Sequence, residues 1–521
     1  MPVPPDNRRR VVRLLIVLLT LASSTLVSTT ATAQETTPVA SPVVSANQLM
    51  PILPEWRDEL IPVIESVSAR YTIDAVIQLP VAGVSTPGIT GALSIEYTNT
   101  TGASLSELPF RLYANSPDEL NEALRVDHLT VDDATVAPAL SEDGTTVFVP
   151  FDTPLAAGAT VTIGMSFVSA VPVNEREHYG IFNIDPEHGT WALAHWYPIL
   201  AGWDPDRGWV LDPPSANGDP IFSTTSTYDV TLHLPNGWRA VTTGIETERN
   251  DTSRRFVTGP VRDFTMVLDG DFDVVEQEVN GTTISSWYNP GQRRSAEAVL
   301  DYAAQSLSFF NELIGPYPYT TLDLAPADLF GAAGVEFPQL IYIGASYYNP
   351  DRSFDVPNGL DFTVAHEVLH QWWYAMVGNN QYDHAFIDEG LTNFMSSTLY
   401  FGAEYGPEIG DIMTDRYLER PFQSNIEAGN DQVVDTPTDD FPSSSGYVFA
   451  AYTKAPLGFK TIYDEIGPDA FSDAVTMYFY DNWFTVASPD DLLAAFEAAS
   501  GEDLDALWSH WFEETAGEDD V

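Results

Sequence analysis

Along the first half of the chain, apolar and polar residues alternate in short runs. Residues 71–79, 92–97, 147–151, 160–167 and 228–234 each show a period of two, and Gly, Pro and Asn turns separate them. The pattern predicts β-strands from about residue 67 to 279. After Asn289-Pro290-Gly291 the period changes. Ala298, Leu300, Ala303, Leu307 and Phe310 recur at helical spacing, so a helix is predicted over 294–314, stopped by Gly315-Pro316. Strands at 321–324 and 340–344 and helices at 492–499 and 504–512 follow. A β front and a mostly helical back predict two domains, 67–290 and 291–521, without internal repeats.

The first 33 residues follow another pattern. Arg8, Arg9, Arg10 and Arg13 precede an apolar run over 14–22, and Ala31-Thr32-Ala33 offers small residues for cleavage. This is the order of a secretory signal peptide, and the run is shorter than the ~20 residues that cross a bilayer. Residues 34–66, Thr/Pro/Ser-rich at their start, are expected to be a flexible leader. The mature protein is therefore expected to be extracytoplasmic, without stable membrane insertion.

Charge narrows the possible partners. Among 521 residues, 75 are acidic and 22 basic, a net charge of -53, and the only lysines are Lys454 and Lys460. Such a surface repels phosphate backbones, which excludes nucleic acid as a partner. With no cysteine, thiolate metal sites and disulfides are excluded.

The candidate chemistry lies in His366-Glu367-Val368-Leu369-His370. On a helix, residues i and i+4 share a face, so both imidazoles are able to grip one cation. Glu367 points away from that pair and toward a water held by the ion. Apolar flanks predict that this helix continues to Gly378-Asn379-Asn380. Glu389 follows after eighteen intervening residues, in Asp388-Glu389-Gly390-Leu391-Thr392-Asn393-Phe394, the predicted start of a second helix. An antiparallel return would bring its carboxylate to the histidines. Two His nitrogens and one Glu oxygen leave a zinc position open, as in a catalytic site. Trp373 and Met376 stand where a metzincin would need glycine and a third histidine.

HEVLHQWW followed by DEGLTNF resembles the aminopeptidase N family of gluzincin metallopeptidases. Gly218-Asp219-Pro220, Ser226-Thr227-Tyr228-Asp229-Val230, Pro260-Val261-Arg262-Asp263-Phe264 and Gly334-Val335-Glu336-Phe337-Pro338 extend the likeness over about 67–521. The resemblance implies a saddle-like β-sandwich domain followed by a thermolysin-like, mostly helical catalytic domain. It also implies one Zn(2+) per chain, held by His366, His370 and Glu389, with peptides as substrates. Glu367 would be the general base. Glu336, beside Gly334, would pair with a substrate's free α-amino group, although Val335 and Phe337 replace the family's Met and Asn. Tyr452, in Tyr452-Thr453-Lys454, would hydrogen-bond the oxyanion; Tyr447 is the local competitor. No glutamine or glutamate near His195 matches the family's β-domain residue at the amine. The chain ends where many relatives continue into a large helical domain. An open cleft with endopeptidase action, and a catalytically silent peptide-binding protein, are the alternative readings.

Overall fold

The computed structural model describes residues 44–80, 86–115, 123–174, 177–205, 207–213, 215, 217–218, 221–349 and 351–521. The expected signal peptide, the part of the leader before residue 44, and Asp219-Pro220 lie outside the described residues.

Residues assigned to the leader but described here are not extended coil. Helix α1 (Arg57–Ser66) buries Leu60 and Ile64 despite an internal Pro62. Its two buried side chains are one helical turn apart, too few to stand out in sequence.

The β-rich part centres on an eight-stranded sheet. Its middle strands are β1 (Ala69–Gln78), β2 (Gly88–Thr98), β3 (Leu124–Val131), β4 (Thr160–Ala170), β5 (Ser226–His233) and β6 (Ser253–Val257), in spatial order β6-β5-β1-β2-β4-β3. Burial alternates residue by residue along β2 and β4, so one face packs inward and the other meets solvent. Two four-stranded sheets and a two-stranded one complete this part among the described residues.

A second, mixed sheet of five strands carries the helical part. It is built from β7 (Asp273–Val279), β8 (Thr282–Tyr288), β9 (Thr321–Ala327), β10 (Gly334–Val335) and β11 (Leu340–Gly344), in the order β7-β8-β9-β11-β10. A boundary at residue 290 therefore cuts a sheet, because β8 pairs in parallel with β9 across it. By strand pairing the second part begins before Asp273. The alternation of β7 and β8 resembles that of the strands before them, so periodicity alone could not separate the two sheets.

Against this sheet pack α2 (Arg293–Leu313) and α3 (Gly359–Leu369), and α4 (Phe386–Phe394) packs against α3. α3 stops at Leu369, with His370 as its C-cap, rather than continuing to Gly378. Residues 373–377 turn back on themselves: Val377 N donates to the Trp372 carbonyl at 2.8 Å, and Tyr374 adopts a positive φ of 90°. The buried Arg262 guanidinium holds that turn, donating to the carbonyls of Tyr374 at 2.6 Å, Ser223 at 2.9 Å and Thr485. Gly378 gives it room, since a Cβ there would fall 2.0 Å from the guanidinium carbon. An arginine from the β-rich part thus fixes the chain just beyond the histidines.

Candidate metal centre and cleft

α3 is started by Asn358, whose side chain accepts from the N–H groups of Leu360 and Asp361. The helix presents His366 and, at its C-cap, His370. Glu389 lies in the first turn of α4, where the helix dipole favours a carboxylate. The three side chains converge and are buried. His366 Nε2 lies 3.2 Å and His370 Nε2 3.4 Å from Glu389 Oε2, and the two nitrogens are 3.1 Å apart. Ligands at ~2.05 Å from a tetrahedral zinc stand about 3.3 Å from one another. The donor triangle already has that size.

The electrostatics of the three donors suit a cation. Burial lowers the pKa of His370, but Glu389, supported by Glu367 and Asp388, outweighs it and raises the imidazole to about 9. Burial would raise the Glu389 carboxyl, yet His370 and His366 hold it well below the usual carboxylate range. His366 is shifted down, chiefly by burial. This cluster of buried donors demands positive charge, and a dication supplies it better than one proton.

Outer contacts fix the donors. His370 Nδ1 faces the Trp373 carbonyl at 3.2 Å, which leaves Nε2 for the ion. Glu389 divides its oxygens: Oε2 faces the imidazoles, while Oε1 accepts from the Tyr452 hydroxyl at 2.5 Å. Asn393 Nδ2 donates to the Tyr452 carbonyl at 2.6 Å and also lines the cleft. Asp388 accepts from Gln381 Nε2 and from the Glu389 N–H, both at 2.9 Å. Gln371, directly after His370, donates to the Phe337 carbonyl at 3.2 Å and accepts from the Gln339 N–H at 2.9 Å. It ties the Glu336 segment to the end of the histidine helix.

A cleft of about 610 Å³ contains this centre. Glu336, Gly334, Glu367, His366, Glu389, Tyr447 and Tyr452 all line it. Gly334 lies so close to Glu367 that a Cβ would sit 2.6 Å from its carboxylate. Tyr452 occupies a π-helical turn, Ala450–Lys454. Beneath it the buried Lys454 ammonium donates to Asp431 Oδ1 at 2.7 Å and to the carbonyls of Gln432 and Glu514. Tyr447 packs 5.9 Å from the Tyr452 ring and does not take its place on Glu389. His195 is buried against Tyr113 and Phe337, away from the cleft lining.

Sequence reasoning assigned no role to Gln371, Asp388 or Asn393, although all three stand in the quoted motifs. The Trp373 carbonyl has no sequence signal, being backbone.

Residues 298–511 match the Peptidase family M1 domain. Aminopeptidase M1 of Arabidopsis thaliana is 23% identical over 305 residues, 55% of this chain and 34% of that protein. Aminopeptidase B of Rattus norvegicus is 25% identical over 269 residues, 47% of this chain and 40% of that protein. The chain thus spans well under half the length of these relatives. An M1 zinc metallopeptidase from Deinococcus radiodurans shares the fold at a TM-score of 0.60 and 16% identity, covering 86% of this chain and 94% of that one. A point mutant of that enzyme bound to a Tyr-Ser-Ala substrate superposes equally, at a TM-score of 0.60, 16% identity and coverage of 85% and 94%. Residues 298–511 thus carry a Peptidase family M1 domain, and the fold of an M1 zinc metallopeptidase extends over 86% of the chain.

Proposed function

We propose that this protein is a zinc-dependent aminopeptidase that releases the first residue of peptides. The supporting observation is the convergence of His366, His370 and Glu389 in a cleft that also holds Glu367 and Glu336. When bound, zinc polarises the scissile carbonyl and lowers the pKa of water. Glu367 accepts the proton of the attacking water and delivers it to the leaving nitrogen. The Tyr452 hydroxyl donates to the oxyanion, leaving Glu389 Oε1 to do so. Glu336 pairs with the substrate's α-ammonium group and so fixes where the chain begins.

Export is part of the proposal. It rests on the pattern of residues 1–33, and no helix among the described residues is long and apolar enough to cross a membrane. Sequencing the amino terminus of the secreted protein tests it; a protein retained in the cell with its first 33 residues intact refutes export.

The central test is hydrolysis of an aminoacyl anilide beside an N-acetylated peptide, each with and without a chelator. Chelator-sensitive release from the free amine alone is expected, and Glu336→Ala should remove it. Equal cleavage of the blocked peptide would establish an endopeptidase instead. No cleavage of either by metal-loaded protein would establish a silent peptide binder.

A further inference from the structure

In a chain with 75 acidic and 22 basic side chains, an arginine at the surface ordinarily finds a carboxylate. Arg352 and Arg416 do not. Among the described residues neither is ion-paired, although Asp351 and Asp355 flank Arg352 in sequence. Each guanidinium instead lies against an aromatic ring: Arg352 is 4.3 Å from the Tyr347 centroid, and Arg416 is 5.4 Å from that of Tyr417. Stacking leaves the guanidinium edge, where the N–H donors are, available to an anion.

Their place relative to the cleft gives this meaning. From Glu336 the cleft wall runs through Gly334, beside Glu367, to Ala333. The Ala333 carbonyl accepts from the Gly344 N–H at 2.9 Å. A Cβ on Gly344 would lie 3.7 Å from the Tyr347 ring, and the Tyr347 hydroxyl lies 3.1 Å from Thr363 Oγ1, itself part of the cleft lining. A methyl group on Gly359 would meet the Tyr347 hydroxyl at 3.7 Å, the Tyr417 hydroxyl at 3.9 Å and Arg352 Nη2 at 4.0 Å. The wall that starts at Glu336 therefore ends at Arg352. Asn358 already caps the start of α3, so the charge at this end is that of the guanidinium.

We propose that Arg352, with Arg416 stacked on the cleft-lining Tyr417, forms a carboxylate-binding subsite at the downstream end of the cleft. Gly359 is seven residues from His366 along α3, a rise of ~10 Å. Two to three extended residues beyond the scissile carbonyl span ~7–10 Å. The subsite thus takes the terminal carboxylate of a tri- or tetrapeptide, or an acidic side chain at the same distance. It rests on the aminopeptidase reading and makes short free-acid peptides the preferred substrates.

The test compares kcat/KM for tripeptides and tetrapeptides as free acids and as C-terminal amides. Amidated pentapeptides with Asp or Asn at the third position separate the side-chain source from the terminal one. The wild-type enzyme should favour at least one carboxylate-bearing partner about fivefold at low salt, mainly through KM, the factor a partly exposed ion pair supplies. Arg352→Gln should bring that ratio close to one, and Arg352→Lys should keep part of it. No preference in any pair, or a preference that survives the Arg352→Gln/Arg416→Gln double variant, overturns the subsite. The wild-type aminoacyl anilide, which carries no carboxylate, keeps the two readings apart. If it is not cleaved, the aminopeptidase assignment falls; if it is cleaved without any acid preference, only the subsite falls.

Discussion

Replacing Gly334 with alanine is expected to slow turnover about a hundredfold without unfolding the protein or emptying the metal centre. The new Cβ would lie 2.6 Å from Cγ and Oε1 of Glu367 and 2.7 Å from Cδ. Non-bonded carbon contacts settle near ~3.5 Å, so the side chain must retreat by ~1 Å. Gly334 is not in the left-handed backbone region, so alanine adds no strain of its own there. Of the nearest atoms around that Cβ, all belong to Glu367 and none to a metal ligand. A proton acceptor misplaced by ~1 Å costs on the order of 10²-fold in rate. The assay is steady-state hydrolysis of an aminoacyl anilide, with zinc content and melting temperature measured on the same samples. A variant that keeps its zinc and turns over within threefold of wild type would refute the reasoning: Glu367 would then not act from where it stands.

Glu367→Gln should abolish turnover while zinc content stays at one per chain; hydrolysis near the wild-type rate would remove the general-base role. Tyr452→Phe takes away one oxyanion donor and should lower kcat by about 10²- to 10³-fold, and a loss smaller than fivefold in kcat would reassign the oxyanion contact. Chelation should abolish activity and lower the melting temperature, because three buried donors lose their shared cation; zinc should restore both, and a melt indifferent to metal would contradict a buried site. Asp323 tests burial remote from the metal. Burial raises its carboxyl to about 7, against the lowering effect of hydrogen bonds from Trp287 and Ser285. The native state then binds the proton more tightly than the unfolded one, so this group's contribution is full below about pH 4 and is lost as pH rises to about 7. Asp323→Asn should flatten the fall in melting temperature across that window, and an unchanged slope would show that Asp323 does not titrate there.

The metal centre was legible because its chemistry fixes residue type and spacing together. His366 and His370 had to be one helical turn apart, and Glu389 needed only a second helix to return. What holds those donors was not legible. The Trp373 carbonyl on His370 is backbone, and Gln371 looks like an ordinary polar residue until its bonds to 337 and 339 are seen. The end of α3 at Leu369 was hidden because Trp372, Trp373 and Met376 suit a buried turn as well as a buried helix, and the deciding group, Arg262, is over a hundred residues away. In the fold, alternation found the strands of the large sheet. It could not say that β7 and β8 belong with β9, since period two reports burial of a face and not the identity of the partner.

That sheet membership bears on how the metal-binding part could be produced alone. A fragment begun at residue 291 would leave β9 with a naked edge, inviting self-association, and would lose the guanidinium that pins the turn after His370. Beginning near 270 would restore the strands but not Arg262, so the histidines would sit on a loosened segment. Recombinant dissection should therefore keep residues 223–288 with the helices, or co-express the two pieces and ask whether they reassemble.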